Sequence, residues 1–106
     1  MIVRTWSAVA TRDGEGAYLL HFRHAVAPAL GDIPGFLGAT VLRRREAGEV
    51  EIVVQTRWAS MDAVRAFAGG DPDHAVVEPG AAAALLRFDD RVRHFEVAHE
   101  EPAPHR

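Results

Sequence analysis

The sequence predicts one α+β domain in which a four-stranded antiparallel sheet carries helices on one face, and three observations lead there. Four segments have strand character, at residues 2–10, 36–45, 50–58 and 91–98. Helical segments separate the first strand from the second and the third from the fourth. The second and third strands are joined only by Glu46-Ala47-Gly48-Glu49, a loop short enough for an antiparallel hairpin. Strand, helix, strand, strand, helix, strand is the split βαβ order of ferredoxin-like domains.

Each element has its own warrant. Along residues 2–10, Ile2, Arg4, Trp6 and Ala8 fall on one face and Val3, Thr5, Ser7 and Val9 on the other, so both faces suit burial. Asp13 is a candidate cap for a helix running through Tyr18 to Ala27, with the stripe Tyr18, Phe22, Ala25, Val26 and Ala29; Gly31-Asp32 and Pro34-Gly35 end it. Ser60 caps a second helix over residues 61–68, Asp62 sits at the positive end of its dipole, and Gly69 stops it. Asp71-Pro72-Asp73 repeats a helix-start signal, with His74 on the new turn. AAAALL predicts a last helix over residues 80–88. In the closing strand Val92, His94 and Glu96 share one side, and Phe95 and Val97 the other. Residues 1–98 form the domain, and 99–106, with two prolines and three charged side chains, a flexible tail.

Composition narrows the function classes. No apolar run approaches the ~20 residues that cross a bilayer, and Arg4 interrupts the apolar N-terminal stretch, so a strand rather than a signal peptide is expected, and with it a cytoplasmic protein. The absence of cysteine excludes disulfides and thiolate chemistry. A formal charge of −3 without a basic block argues against nucleic acid; Arg43, Arg44 and Arg45 are the one basic run, and read as a solvated strand end or an anion contact. The sheet face left bare of helices is expected to hold several of Trp6, Phe36, Leu42, Val54 and Trp58, which predicts a homodimer through that face.

The helix YLLHFRHAVAPAL, the loop and strand IPGFLGATVLRR, the junction TRWASMDAVRAFAG, the segment DPDHAVVEP and the strand HFEV resemble the antibiotic biosynthesis monooxygenase family of dimeric α/β barrels. The superfamily spans cofactor-independent oxygenases of phenolic polyketides, haem-degrading enzymes, and isomerases and decarboxylases of related barrels. The resemblance therefore implies a homodimer and a cofactor-independent monooxygenase acting on a small aromatic substrate. A non-catalytic small-molecule binder is the alternative, and a haem-binding or haem-degrading protein a weaker one. The haem-degrading pattern wants an asparagine on the first strand and a tryptophan late in the central helix, where this chain has Ser7 and Phe67.

The resemblance makes Trp58 a wall of the substrate cavity; as a large aromatic it serves equally as a core plug. Trp6, Arg4, Glu96 and Phe67 are the other candidate substrate contacts. His94 is the preferred base, because Glu96 shares its face and Arg4 completes a polar patch; such a patch is also what a satisfied buried network looks like. His74, which follows a proline-started turn, is the second catalytic candidate and otherwise a surface residue. His21 and His24 share a helical face, but no third ligand is adjacent, so no metal site is expected, and no cofactor fingerprint is present.

Overall fold

A computed structural model describes residues 1–104. β1 (Ile2–Thr11) leads into a long helix, α1, built from an α-helical piece Arg12–His21, a π-helical turn Phe22–Val26 and a closing α-helical turn Ala27–Gly31. β2 (Phe36–Glu46) and β3 (Glu49–Trp58) form the hairpin, α2 is Met61–Ala68, α3 is the single turn Pro79–Ala83, and β4 (Arg87–Phe88) and β5 (Arg93–Glu96) close the chain. The sheet order is β2-β3-β1-β4, with β5 also on β1, and the β1 pairings are all antiparallel. β4 and β5 are two pieces of one edge strand, so the expected ferredoxin-like order is the one found.

The N-cap of α1 is Thr11, whose hydroxyl accepts from the Gly14 N–H, and not Asp13. Pro28 lacks the N–H that His24 O would receive in a regular helix, and the wide turn just before it carries an Ala27 N–H to Phe22 O bond. A 3.6-residue helix rotates an i, i+4 row steadily off its face; the wider turn restores the phase. Tyr18, Phe22, Val26 and Leu30 consequently all face the sheet, whereas Ala25 and Ala29 of the expected stripe are exposed. Glu15, one turn earlier, is buried and held by Arg43 at 2.7 Å and Arg45 at 3.4 Å, which ties α1 to β2. Arg44, on the opposite face, pairs with Glu46 and Glu51.

The hairpin loop is two residues, not four: Glu46 pairs with Glu49, and Ala47 and Gly48 both have positive φ, 50° and 83°. α2 starts at Ser60, whose side chain accepts from Ala63 N–H, and stops at Gly69 with φ 85°. The two later helical expectations give way to long-range backbone hydrogen bonds, which replace the first and shorten the second. Asp71-Pro72-Asp73 makes a turn, not a helix: His74 N–H donates to Asp71 O, then Ala75 N–H to Asp90 O and Val92 N–H to Asp73 O. The alanine-rich helix ends at Ala83, because Leu86 N–H donates to Val9 O and Asp89 N–H to Ser7 O.

In the β1–β3 register Ile2, Arg4, Trp6, Ala8 and Ala10 stand opposite Trp58, Thr56, Val54, Ile52 and Val50, and this face meets the helices. Trp6, Phe36, Val54 and Trp58 therefore belong to the covered face, and of the five residues expected on the uncovered one only Leu42 lies there. The same face also carries Val53, Val3 and the exposed Phe95, mixed with Thr5 and Gln55. Residues 99–104 carry no regular secondary structure, and the last two positions of the expected tail lie outside the described residues.

Candidate functional site

Between the covered face of the sheet and α1 lies a cavity of about 220 Å³. Tyr18, Phe22, Val26 and Leu30 of α1 form one wall, Trp6, Val54 and Thr56 of the sheet the other, and Phe67 of α2 one end. Residues 76–78 and Ala81 bring the remaining side, with Glu78 the acidic residue among them. The volume exceeds the ~150 Å³ of an apolar cavity that admits benzene. Burial raises the Tyr18 hydroxyl to about 12 from its ordinary 10.0, so it stays protonated in neutral solution.

Among the described residues, one cation borders this apolar space. Arg4 is 5% exposed; its Nη1 donates to Pro72 O, its Nη2 donates to His74 O at 2.9 Å, and its guanidinium lies 5.5 Å from the Phe67 ring centre. Arg4 and His94 are cross-strand partners, and Nη1 lies 2.9 Å from His94 Nε2. A guanidinium can only donate, so Nε2 accepts and the ring proton sits on Nδ1, which donates to Asp73 Oδ1 at 3.0 Å. The result is a relay of fixed polarity, Arg4 to His94 to Asp73. Burial lowers the Arg4 pKa from its ordinary value, and the charge of Asp73 acts in the opposite sense. Asp71 anchors the turn that carries Asp73: its carboxylate receives Arg91 at 2.7 Å, a bond that lowers its pKa.

The candidates from sequence are distributed unevenly around the cavity. Arg4, Trp6 and Phe67 line it. Trp58 does not: it is fully buried, donates Nε1–H to Thr56 Oγ1 at 2.8 Å, and stacks behind Phe67 with ring centres 5.4 Å apart. His94 stands behind Arg4 and off the cavity wall, with its acceptor nitrogen occupied. Its carboxylate partner is Asp73 and not Glu96, which lies opposite Ile2 with an exposed side chain. His74 lends Arg4 its carbonyl while its imidazole is exposed. His21 approaches Glu78, Nε2 to Oε2 3.4 Å, yet the orientation makes no hydrogen bond and that nitrogen is buried without a partner. Among the described residues no group of three metal-type ligands gathers, around His21 and His24 or elsewhere.

Asp73, Glu78 and Tyr18 were not marked by sequence as parts of a site. Asp73 and Glu78 reach it through contacts between distant segments; Tyr18 was visible only as an apolar stripe residue.

The family model described as antibiotic biosynthesis monooxygenase matches residues 1–101. Among solved structures, the haem degrader MhuD of Mycobacterium tuberculosis with two haems in its active site is 29% identical, covering 96% of this chain and 100% of its own, with a TM-score of 0.61. An N63A mutant of SnoaB, a cofactor-independent oxygenase from Streptomyces nogalater, is 18% identical, with 95% and 97% covered and a TM-score of 0.62. A Streptomyces coelicolor monooxygenase in complex with nanaomycin D is also 18% identical, with 98% and 92% covered and a TM-score of 0.61. No curated protein sequence matches the chain significantly.

Proposed function

We propose that this chain, which belongs to the antibiotic biosynthesis monooxygenase family, is a cofactor-independent monooxygenase of a small phenolic, polyketide-like aromatic. The observation that carries the reading is the aromatic-walled cavity with a single buried guanidinium on its wall. Neighbours of the same fold include a cofactor-independent oxygenase and a monooxygenase complexed with nanaomycin D. For an anthrone-like substrate the balance is simple: the ring CH₂ becomes a carbonyl, and dioxygen supplies that oxygen and one molecule of water. The substrate's own anion is the reductant, so the protein has only to position the ring, exclude water and stabilise negative charge.

Arg4 performs the last task, since its charge acts in a low-dielectric cavity. Among the wall residues Glu78 is the carboxylate able to receive the proton, and Tyr18, kept neutral, is available to donate a hydrogen bond. His94 acts through Arg4, as a positioning residue held by Asp73. The protein works as a homodimer through the uncovered sheet face.

Haem fits these residues poorly. Among the described residues, the cavity wall includes no histidine to ligate the iron.

Protein stripped of metal and flavin is expected to consume oxygen with an anthrone or hydroquinone, and Arg4→Gln to lower that rate by about 10²-fold, the size of effect seen when one charge-stabilising donor is removed. Inert protein of intact fold, across such substrates, makes the non-catalytic binder the better reading; activity regained only with haem or iron overturns the mechanism.

A further inference from the structure

Among the described residues, the guanidinium of Arg4 is in contact only with neutral groups: two carbonyls, a neutral imidazole and the face of Phe67. Asp73 is separated from it by the width of the His94 ring. A buried charge without an adjacent counter-ion is costly, because the Coulomb energy that would offset its desolvation is missing. Of its five N–H groups, two on Nη1 and one on Nη2 are committed. Nε–H and the second Nη2–H have no protein acceptor among the described residues. Nε–H and Nη2–H lie along one edge of a guanidinium, the edge that receives two coplanar oxygens at once.

We propose that the cavity selects ligands whose aromatic frame carries two neighbouring coplanar oxygens and a negative charge, bound bidentately by the Nε–H and Nη2–H edge of Arg4. The apolar walls take the ring system and the guanidinium takes the charge that nothing else in contact supplies. The inference rests on placing the substrate in this cavity, and extends that reading from a phenol to an anionic oxygen pair. An aryl carboxylate and the anion of an ortho-hydroxyquinone share this chemistry. The relay behind Arg4 serves the same end, since Pro72 O, His74 O and His94 hold Nη1 and one N–H of Nη2 and leave Nε–H free.

Calorimetry on the full chain compares 2-naphthoate, anionic 2-hydroxy-1,4-naphthoquinone and neutral 2-naphthalenemethanol. At least one anion is expected to bind about tenfold or more tightly than the neutral alcohol, and which one does so separates a carboxylate from a hydroxyquinone source. Arg4→Lys, which keeps the charge and loses the fork, is expected to abolish that preference while leaving the alcohol's affinity in place. Equal binding of all three to the unaltered protein, no binding of either anion, or an unchanged preference in a folded Arg4→Lys variant overturns the proposal. Naphthoate offers no oxidisable position, so its binding is independent of turnover: protein that prefers the anions but consumes no oxygen with anthrones retains this inference and loses the oxygenase.

Discussion

Arg4 and Tyr18 are the two titratable side chains most deeply set into the cavity wall, and each has a physical consequence of its own. Arg4 keeps its charge and leans on a relay; Tyr18 avoids charge altogether, because an ionised phenol between Phe22 and Trp6 would lose its hydration. It is the only tyrosine of the chain, so its titration is directly visible in ultraviolet absorbance. Its folded value, about 12, lies above the ordinary 10.0, so the unfolded chain releases this proton first. The stabilisation is complete below pH 10.0 and is lost as the pH rises through about 12, a change of about 2–3 kcal/mol. Absorbance titration of the native protein is expected to show no tyrosinate near pH 10.0 until the fold gives way, and ordinary ionisation in urea; a native transition at 10.0 with the fold intact contradicts this burial. Strand alternation was enough to bring Arg4 and His94 into the same polar patch. It could not provide Asp73, since that contact depends on residues 73–75 pairing with 90–92, a juxtaposition with no local signature.

At the scale of elements, local signals prevailed where nothing competed with them. β1, β2, β3 and α2 were legible because alternation, a capping serine and a stop glycine agree with their tertiary surroundings. The alanine-rich segment was misread for the opposite reason: Leu86 and Asp89 donate to β1, and those bonds override helical propensity beyond Ala83. The π-helical turn of α1 likewise defeated a 3.6-residue stripe and brought Leu30 to the core in place of Ala29. The hairpin carries an uncorrected cost. Ala47 has a φ of 50°, in a region where a side chain costs ~1–2 kcal/mol, and the two-residue turn it forms with Gly48 favours asparagine or glycine there. Ala47→Asn is expected to stabilise the protein by about 1 kcal/mol, read as a higher denaturation midpoint at unchanged slope. An unchanged or lower midpoint refutes the strain.

For the whole molecule, the decisive ambiguity in the sequence was which sheet face met the helices. β1 has residues fit for burial on both sides, and only the register with β3, Ile2 opposite Trp58, resolves it. The large aromatics went to the covered face and the cavity went with them. Val3, Leu42, Val53 and Phe95 remain on the other, where a second copy would bury them. Sedimentation at micromolar concentration is expected to give twice 11.6 kDa, and Leu42→Arg to shift it toward the monomer; a compact 11.6 kDa species for the unaltered protein removes the dimer.

The central claim is that the chemistry takes place in the space between sheet and α1, and filling that space tests it most directly. Val26 lies on the cavity wall and has no polar atom in the Arg4–His94–Asp73 relay, so Val26→Trp occupies the cavity without removing a member of that relay. With the fold verified by circular dichroism, oxygen uptake by this variant on an anthrone substrate is expected to fall at least about 10²-fold, as positioning of the ring is lost. Uptake equal to that of the unaltered protein would contradict the account and move the reaction out of this cavity.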